Sequence, residues 1–189
     1  MARFEAIAIG CSMGGFSALK RLLGALDRGL PQAIIICSHS SSEQPGILAG
    51  LLDRRSALPV VEARERCPVS PGTVHVAPAG YHLLIEQDRR FALSVDPPVH
   101  FSRPSIDVLF DSAARAYRDA LIGLMLTGAS PDGAAGLATI RHYGGIGIVQ
   151  DPDEAEAPAM PQAALDLAGA DHCLALARIA PLLNHLCHS

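Results

Sequence analysis

Several stretches of the chain are apolar without interruption, and their placement favours an α/β fold. Because successive side chains of a strand point to opposite faces, an apolar run without alternation predicts a strand covered on both faces, as in a parallel sheet. The long apolar runs are residues 4–9, 32–38, 121–126 and 146–149. Shorter runs at residues 58–62 and 173–176 predict further strands, the second of them at an edge of the sheet.

Apolar residues at helical spacing lie between these runs. Leu19, Leu22 and Leu23 predict a first helix that stops near Asp27, and Ser105 fits as the cap of a helix through about Tyr117. Strand, helix and strand in succession form right-handed crossover units. Further helices are predicted over residues 45–55, 134–142, 161–167 and 179–186.

Three short extended runs interrupt this alternation. Residues 73–77, 82–87 and 91–95 follow one another closely, with turn residues between them, so an antiparallel hairpin or meander is expected. The predicted fold is therefore α/β, with a doubly wound, mostly parallel sheet, helices on both faces and an appended antiparallel β-hairpin. We expect residues 1–189 to form a single domain.

Composition narrows the class of protein. The chain is 49% hydrophobic and 18% charged, which is typical of a globular protein. Its net charge of -4, without a basic cluster, disfavours nucleic acid as a partner. The five cysteines form no C-x-x-C pair, and no signal peptide or membrane span is predicted, so we expect a cytoplasmic protein that does not insert into membranes.

The first strand leads into a glycine-rich turn. Residues 10–14 read G-C-S-M-G, the G-x-S-x-G form of a nucleophile elbow, in which a sharp turn exposes Ser12 at the carboxyl end of the strand. The following helix points its free N–H groups at the same place, where they would stabilise an anion. The motif alone leaves a phosphate-binding or purely structural turn open.

Two further strand ends carry the partners that a serine nucleophile needs. His39 follows the second strand as a candidate base, and Asp132 follows the strand at 121–126, where it also fits as a helix cap. A dinucleotide site would instead need a glycine at position 12 and an acid after the second strand, where Ser38 and His39 stand. The remaining histidines are interpreted as structural or solvated: His75, His82, His100, His142, His172, His185 and His188.

Longer motifs identify a family. The early G-x-S-x-G-G, the strand-end His39, R-P-S-I-D-V-L-F at residues 103–110 and L-T-G-x-x-x-D-G-A-A-G at 126–136 resemble the catalytic domain of the chemotaxis protein-glutamate methylesterase CheB. The resemblance extends over nearly the whole chain and includes V-H-V-A-P-A-G at 74–80 and A-M-P-Q-A-A at 159–164.

The resemblance implies a serine esterase that demethylates glutamate methyl esters on the cytoplasmic domains of chemoreceptors and that also deamidates receptor glutamines. By motif position, Ser12 is the nucleophile, His39 the general base and Asp132 the residue that orients it. No metal or organic cofactor is needed. Backbone N–H groups of four residues are the candidate oxyanion donors: Met13, Gly14, Gly128 and Ala129.

The sequence also departs from the family pattern. Met13 stands where the family usually has Thr, Ser40 and Ser41 where it has an apolar residue and Pro, and Ala129 where Met is common. We expect the family's receiver domain to be absent. The catalytic domain is then regulated by a separate protein in trans, is unregulated, or serves another function. The alternatives to a receptor methylesterase are a non-catalytic module that binds a receptor or partner, and an esterase for another substrate.

Overall fold

The computed structural model describes residues 4–39 and 46–188. The main sheet of these residues has seven strands: β1 (Ala6–Cys11), β2 (Ala33–Ser38), β3 (Val60–Glu62), β4 (Val74–Val76), β7 (Leu121–Met125), β8 (Ile146–Gln150) and β9 (His172–Leu174). All are parallel, in the order β3-β4-β2-β1-β7-β8-β9. The predicted parallel sheet is confirmed, with its strand order reversing around the first strand.

Helices cover both faces of the sheet and enclose two separate cores. Ile7 and Ile9 of β1 face one core, whereas Ala6 and Ala8 face the other, as the period of a strand requires. The first core is covered by α1 (Gly15–Gly24), α2 (Ile47–Asp53) and α6 (Leu176–His188). The second is covered by α3 (Ile106–Tyr117), α4 (Ala134–His142) and α5 (Ala159–Ala168).

Small residues of β1 let α3 approach the sheet closely. Gly10 is the clearest case, because a Cβ built on it would lie 2.5 Å from Ile106 Cγ2. Ile106 is the first residue of α3. The close approach therefore brings the N-terminus of α3 to the carboxyl end of β1, next to Ser12.

One strand of the predicted meander belongs to the parallel sheet instead. Val74–Val76 pairs in parallel with both β2 and β3, so the prediction of an antiparallel partner for this run was wrong. Its three residues are all buried, which suits a position inside the sheet rather than a half-solvated hairpin. The appended hairpin itself is confirmed and consists of β5 (His82–Ile85) and β6 (Phe91–Ser94).

The helices follow the sequence prediction with shifted ends. Helix α1 ends at Gly24 rather than near Asp27, and α6 begins earlier than predicted, at Leu176. Helix α3 has Ser105 as its N-cap, with the Ser105 hydroxyl accepting from Val108 N, as predicted. The predicted start of the second helix at Pro45 lies outside the described residues. No helix in the described part of the chain is long and apolar enough to cross a bilayer.

Candidate active site

The turn after β1 depends on its glycines. Gly14 has a φ of 78°, and a Cβ there would lie 2.7 Å from Glu156 Oε2, so both conformation and space require glycine. A Cβ on Gly15 would lie 2.6 Å from Cys11 Sγ. The turn is closed by a hydrogen bond from Gly15 N to Ser12 O and tied to the neighbouring loop by one from Ser12 N to Thr127 O. Ser12 is thus held, half-buried, beyond the carboxyl end of β1.

His39 and Asp132 form a direct hydrogen bond at the carboxyl edge of the sheet. His39 Nε2 lies 2.7 Å from Asp132 Oδ2. The His39 side chain is 11% exposed and that of Asp132 is fully buried. Since His39 follows β2 and Asp132 lies in the loop after β7, the two residues reach each other across the end of β1. This is the place where the strand order reverses and where ligands of open α/β sheets bind.

Ser12 and His39 line one cavity of about 450 Å³. Because Nε2 of His39 is bonded to Asp132, Nδ1 is the ring nitrogen left for the serine, and it has no bonded partner among residues 4–39 and 46–188. Ser12 Oγ makes no hydrogen bond to His39 within the same residues. The structure therefore joins His39 to Asp132 directly and brings Ser12 to them only as a neighbour in the cavity.

The Asp132 carboxylate is held by the N-terminus of α3. Its Oδ1 accepts from Ser105 Oγ at 2.8 Å and Asp107 N at 3.0 Å, and its Oδ2 accepts from Ile106 N at 2.7 Å. Asp132 therefore does not cap α4, as its position before Gly133 suggested. It occupies the positive end of α3, a helix from another part of the chain.

These contacts keep Asp132 ionised. Burial by itself raises the pKa of the Asp132 carboxyl, but hydrogen bonds from His39, the α3 backbone and Ser105 outweigh it and leave the pKa below its ordinary value. A carboxylate that stays charged can hold His39 in one orientation and stabilise the imidazolium that forms when His39 accepts a proton.

Asp107 forms the reverse arrangement with the start of α4. In the sequence it appeared only as part of the motif at residues 103–110, without a role of its own. Asp107 Oδ1 accepts from Gly133 N at 3.0 Å and Gly136 N at 2.7 Å, at the N-terminus of α4. Asp132 thus caps α3, the helix that contains Asp107, and Asp107 caps α4, the helix that follows Asp132. The approach depends on Gly136, whose Cβ would lie 2.5 Å from Phe110 Cβ.

A cluster of His100, Asp107 and Asp132 has ligand atoms within 4.8 Å of one another. Each Asp132 oxygen already accepts two hydrogen bonds, from His39 and Ile106 on one and from Ser105 and Asp107 on the other. A cation here would have to replace these donors. The cluster is therefore better explained as a hydrogen-bonded support of Asp132 than as a metal centre.

The predicted oxyanion donors differ in availability. Gly128 N donates to Ala157 O at 3.0 Å, so this N–H is not free and the prediction fails for it in this structure. Gly128 serves packing instead, because a Cβ there would lie 2.9 Å from Ser12 Cβ. Met13 N, Gly14 N and Ala129 N bond to no acceptor among the described residues and remain candidates.

One of the noted departures, Met13, lies at this cavity. The Met13 side chain is 59% exposed and lines the cavity beside Ser12, so it can contact whatever approaches the serine. Ala129 is also exposed. Ser40 and Ser41, the other departures, lie outside the described residues.

Fold and site together define an α/β protein with a hydroxyl, an imidazole and a carboxylate at the point where its parallel sheet reverses strand order. The chain belongs to the CheB methylesterase family, whose model matches residues 7–183. The family expected from the sequence motifs is thereby confirmed.

Individual relatives agree with this assignment. A protein of Leptospira interrogans, named putative protein-glutamate methylesterase/protein-glutamine glutaminase, is 43% identical over 183 residues, covering 97% of this chain and 95% of that protein. A protein-glutamate methylesterase/protein-glutamine glutaminase of Symbiobacterium thermophilum is 39% identical over 178 residues, which are 94% of this chain and 49% of that protein. The crystal structure of the Thermotoga maritima CheB methylesterase catalytic domain superimposes with a TM-score of 0.91 at 31% identity, over 97% of this chain and 98% of that one.

Proposed function

We propose that this chain is a protein-glutamate methylesterase in which Ser12 is the nucleophile, His39 the general base and Asp132 the residue that orients His39. The observation that carries the proposal is the 2.7 Å contact between His39 Nε2 and Asp132 Oδ2, made beside a cavity that Ser12 also lines. Membership of the family and the names of the relatives supply the reaction and the substrate class. We include in this proposal that residues 1–189 act as one catalytic domain.

In the proposed mechanism each proton transfer has a direction. His39 Nδ1 takes the proton of Ser12 Oγ as the oxygen attacks the ester carbonyl, and N–H groups of Met13, Gly14 and Ala129 are the donors available for the oxyanion. The imidazolium then returns its proton to the departing methoxide, and methanol leaves. Water, deprotonated by His39, hydrolyses the acyl-serine and releases the glutamate carboxylate.

The same steps act on a glutamine side chain, with ammonia as the leaving group, so deamidation is part of the proposal. The substrate we propose is the cytoplasmic domain of methylated chemoreceptors, which places the enzyme in the cytoplasm and in chemotaxis-type signalling. Relatives named for both activities support this assignment. Control by a separate regulatory protein belongs to the same proposal.

Methanol release tests this function. Purified chain is incubated with chemoreceptor membranes carrying radiolabelled methyl groups, with or without prior treatment by a fluorophosphonate that modifies activated serines. We expect release by the untreated protein, none after treatment, and the label on Ser12. Labelling of Ser12 without methanol release would point to an esterase for another substrate. Absence of both would contradict a serine hydrolase.

We also predict that Asp107→Ala slows the reaction although Asp107 does not reach the cavity. Losing the acceptor for Gly133 N and Gly136 N frees the start of α4 and the adjoining Asp132. A shift of about 1 Å at Asp132 would lower kcat roughly 100-fold, and the lost cap would lower the free energy of unfolding by about 1–2 kcal/mol. The measurements are kcat and KM for methanol release, together with urea unfolding.

Two variants control for this effect. Asp107→Asn keeps an oxygen that accepts from the α4 backbone, so we expect it to restore most of kcat. Asp111→Ala removes an exposed carboxylate one turn further along α3, whose partner among the described residues is Arg115 of the same helix, and should leave kcat unchanged. Equal kcat for wild type and Asp107→Ala would show that Asp107 contributes to the stability of the fold and not to the reaction.

A further inference from the structure

Helices α1 and α2 lie side by side and border a groove that leads away from Ser12. The cavity that contains Ser12 and His39 also reaches Ser17 of α1 and Leu48 of α2. A second cavity, of about 430 Å³, begins at the same Ser17 and continues towards the C-terminal ends of both helices. There the helices are in contact, since a Cβ on Gly24 would lie 3.1 Å from Arg55 O. We call these two cavities together the α1–α2 groove.

The end of the α1–α2 groove near Ser12 is apolar. Phe16 at the start of α1 is 38% exposed, and Met13 and Leu48 line the same cavity. Ile47 and Leu51, on either side of Leu48 in α2, are 39% and 41% exposed but do not themselves line the cavity. Exposed large apolar side chains that lie together around a cavity are typical of a site that another molecule covers.

The far end of the groove is basic. Lys20, Arg21 and Arg55 line it, and among the residues that the structure describes no acidic side chain does. The protein as a whole has a net charge of -4, so this end is positive against the general sign of the surface. None of the three takes part in an ion pair within the described ranges; the arginines that do are Arg89, Arg90, Arg115 and Arg141.

We propose that the α1–α2 groove docks an acidic, amphipathic helix of the substrate protein. This inference rests on the proposed function, because it treats the groove as the part of the enzyme that presents a methylated glutamate to Ser12. A polypeptide that carries methylatable glutamates supplies carboxylates for the basic end. Two packed helices form a groove that receives the apolar face of a third, as in other helix-in-groove complexes.

The dimensions set the arrangement of that helix. Helix α1 has 10 residues, and at about 1.5 Å rise per residue it offers a groove of roughly 15 Å, or about three turns of a bound helix. The ester side chain enters at the Ser12 end, with apolar neighbours against Phe16 and Leu48. The unmodified carboxylates then lie about one to two turns away. Lys20 is nearest, with its Nζ 4.6 Å from the centre of the Phe16 ring, and Arg21 and Arg55 lie further along the groove.

Charge reversal at the basic end tests the proposal. In the double variant Arg21→Glu/Arg55→Glu we expect KM for methylated receptor membranes to rise at least 10-fold with kcat unchanged, and the salt dependence of KM to weaken. Fluorophosphonate labelling of Ser12, which needs no docking, should keep its rate. The matched variant Arg118→Glu/Arg178→Glu makes the same charge change outside the groove and should leave KM near the wild-type value.

A binding measurement separates this inference from the proposed function. Ser12→Ala protein, with and without the Arg21→Glu/Arg55→Glu pair, is titrated with a soluble, methylated receptor cytoplasmic fragment at low salt. Weaker binding caused by the groove variant supports docking, whatever the methanol assay gives. If the wild type releases no methanol, that result contradicts the proposed function and not the docking. Equal binding by both proteins, or no binding by either, overturns the docking proposal.

Discussion

Ser12→Ala is expected to lower the rate of methanol release by roughly 10⁴- to 10⁶-fold, to a level set by the remaining donors and binding contacts. The physical reason is the loss of the one side-chain hydroxyl of the G-C-S-M-G elbow, since His39 then has no nucleophile from which to take a proton. The measurement is methanol release from methylated receptor membranes, with active wild-type protein at matched concentration.

The fold should tolerate this change. Ser12 is half-buried, and its hydroxyl makes no hydrogen bond among the described residues, so its removal leaves no buried partner unpaired. Ser70→Ala is the matched control, because Ser70 lies in the loop before β4, outside both this cavity and the α1–α2 groove, and should retain full activity. Wild-type activity in Ser12→Ala would exclude Ser12 as the nucleophile and leave the acyl-enzyme mechanism without a residue to form it.

Asp132→Asn is expected to have the second largest effect, a fall in kcat of up to about 10⁴-fold. An amide N–H₂ placed at Oδ2 would face two donors, His39 Nε2–H and Ile106 N–H, so His39 loses its orientation and the imidazolium loses its counter-charge. Because Asp132 is buried and accepts four hydrogen bonds, the free energy of unfolding should also fall, by about 2–4 kcal/mol.

The pH dependence distinguishes the lost charge from a general loss of stability. The pKa of Asp132 in the folded protein lies below its ordinary value, so its charge stabilises the fold above the unfolded pKa of about 3.9, and this contribution is lost as pH falls through the folded pKa. Asp132→Asn should therefore lose less stability than wild type between about pH 5 and pH 2. Parallel stability curves for the two proteins over that range would contradict this account of Asp132.

The sequence predicted the sheet well where the strands are long. The apolar runs that form β1, β2, β7 and β8 can be recognised in the sequence, because strands buried on both faces carry apolar residues at nearly every position. The run at Val74–Val76 was assigned to the wrong sheet, since three residues carry too little pattern to separate a central strand from a hairpin.

The candidate site was predictable in part, for a related reason. Ser12, His39 and Asp132 each follow a strand, and the carboxyl ends of parallel strands lie at one edge, so their proximity follows from topology. Asp107 follows no strand, and its role depends on how α3 packs against α4. No local sequence pattern predicts how two helices pack against each other. The hydrogen bond from Gly128 N to Ala157 O could not be predicted for the same reason, because it joins two loops that are distant in sequence.

The paired caps have a consequence for transplanting parts of this protein. Asp107 and Asp132 lie 25 residues apart in sequence, yet each satisfies backbone donors that belong to the other's segment. Residues 103–110 and 126–136 therefore form one hydrogen-bonded unit. A chimera that exchanges only one of these segments between two relatives keeps its hydrogen bonds only where both aspartates and the glycines at 133 and 136 are retained.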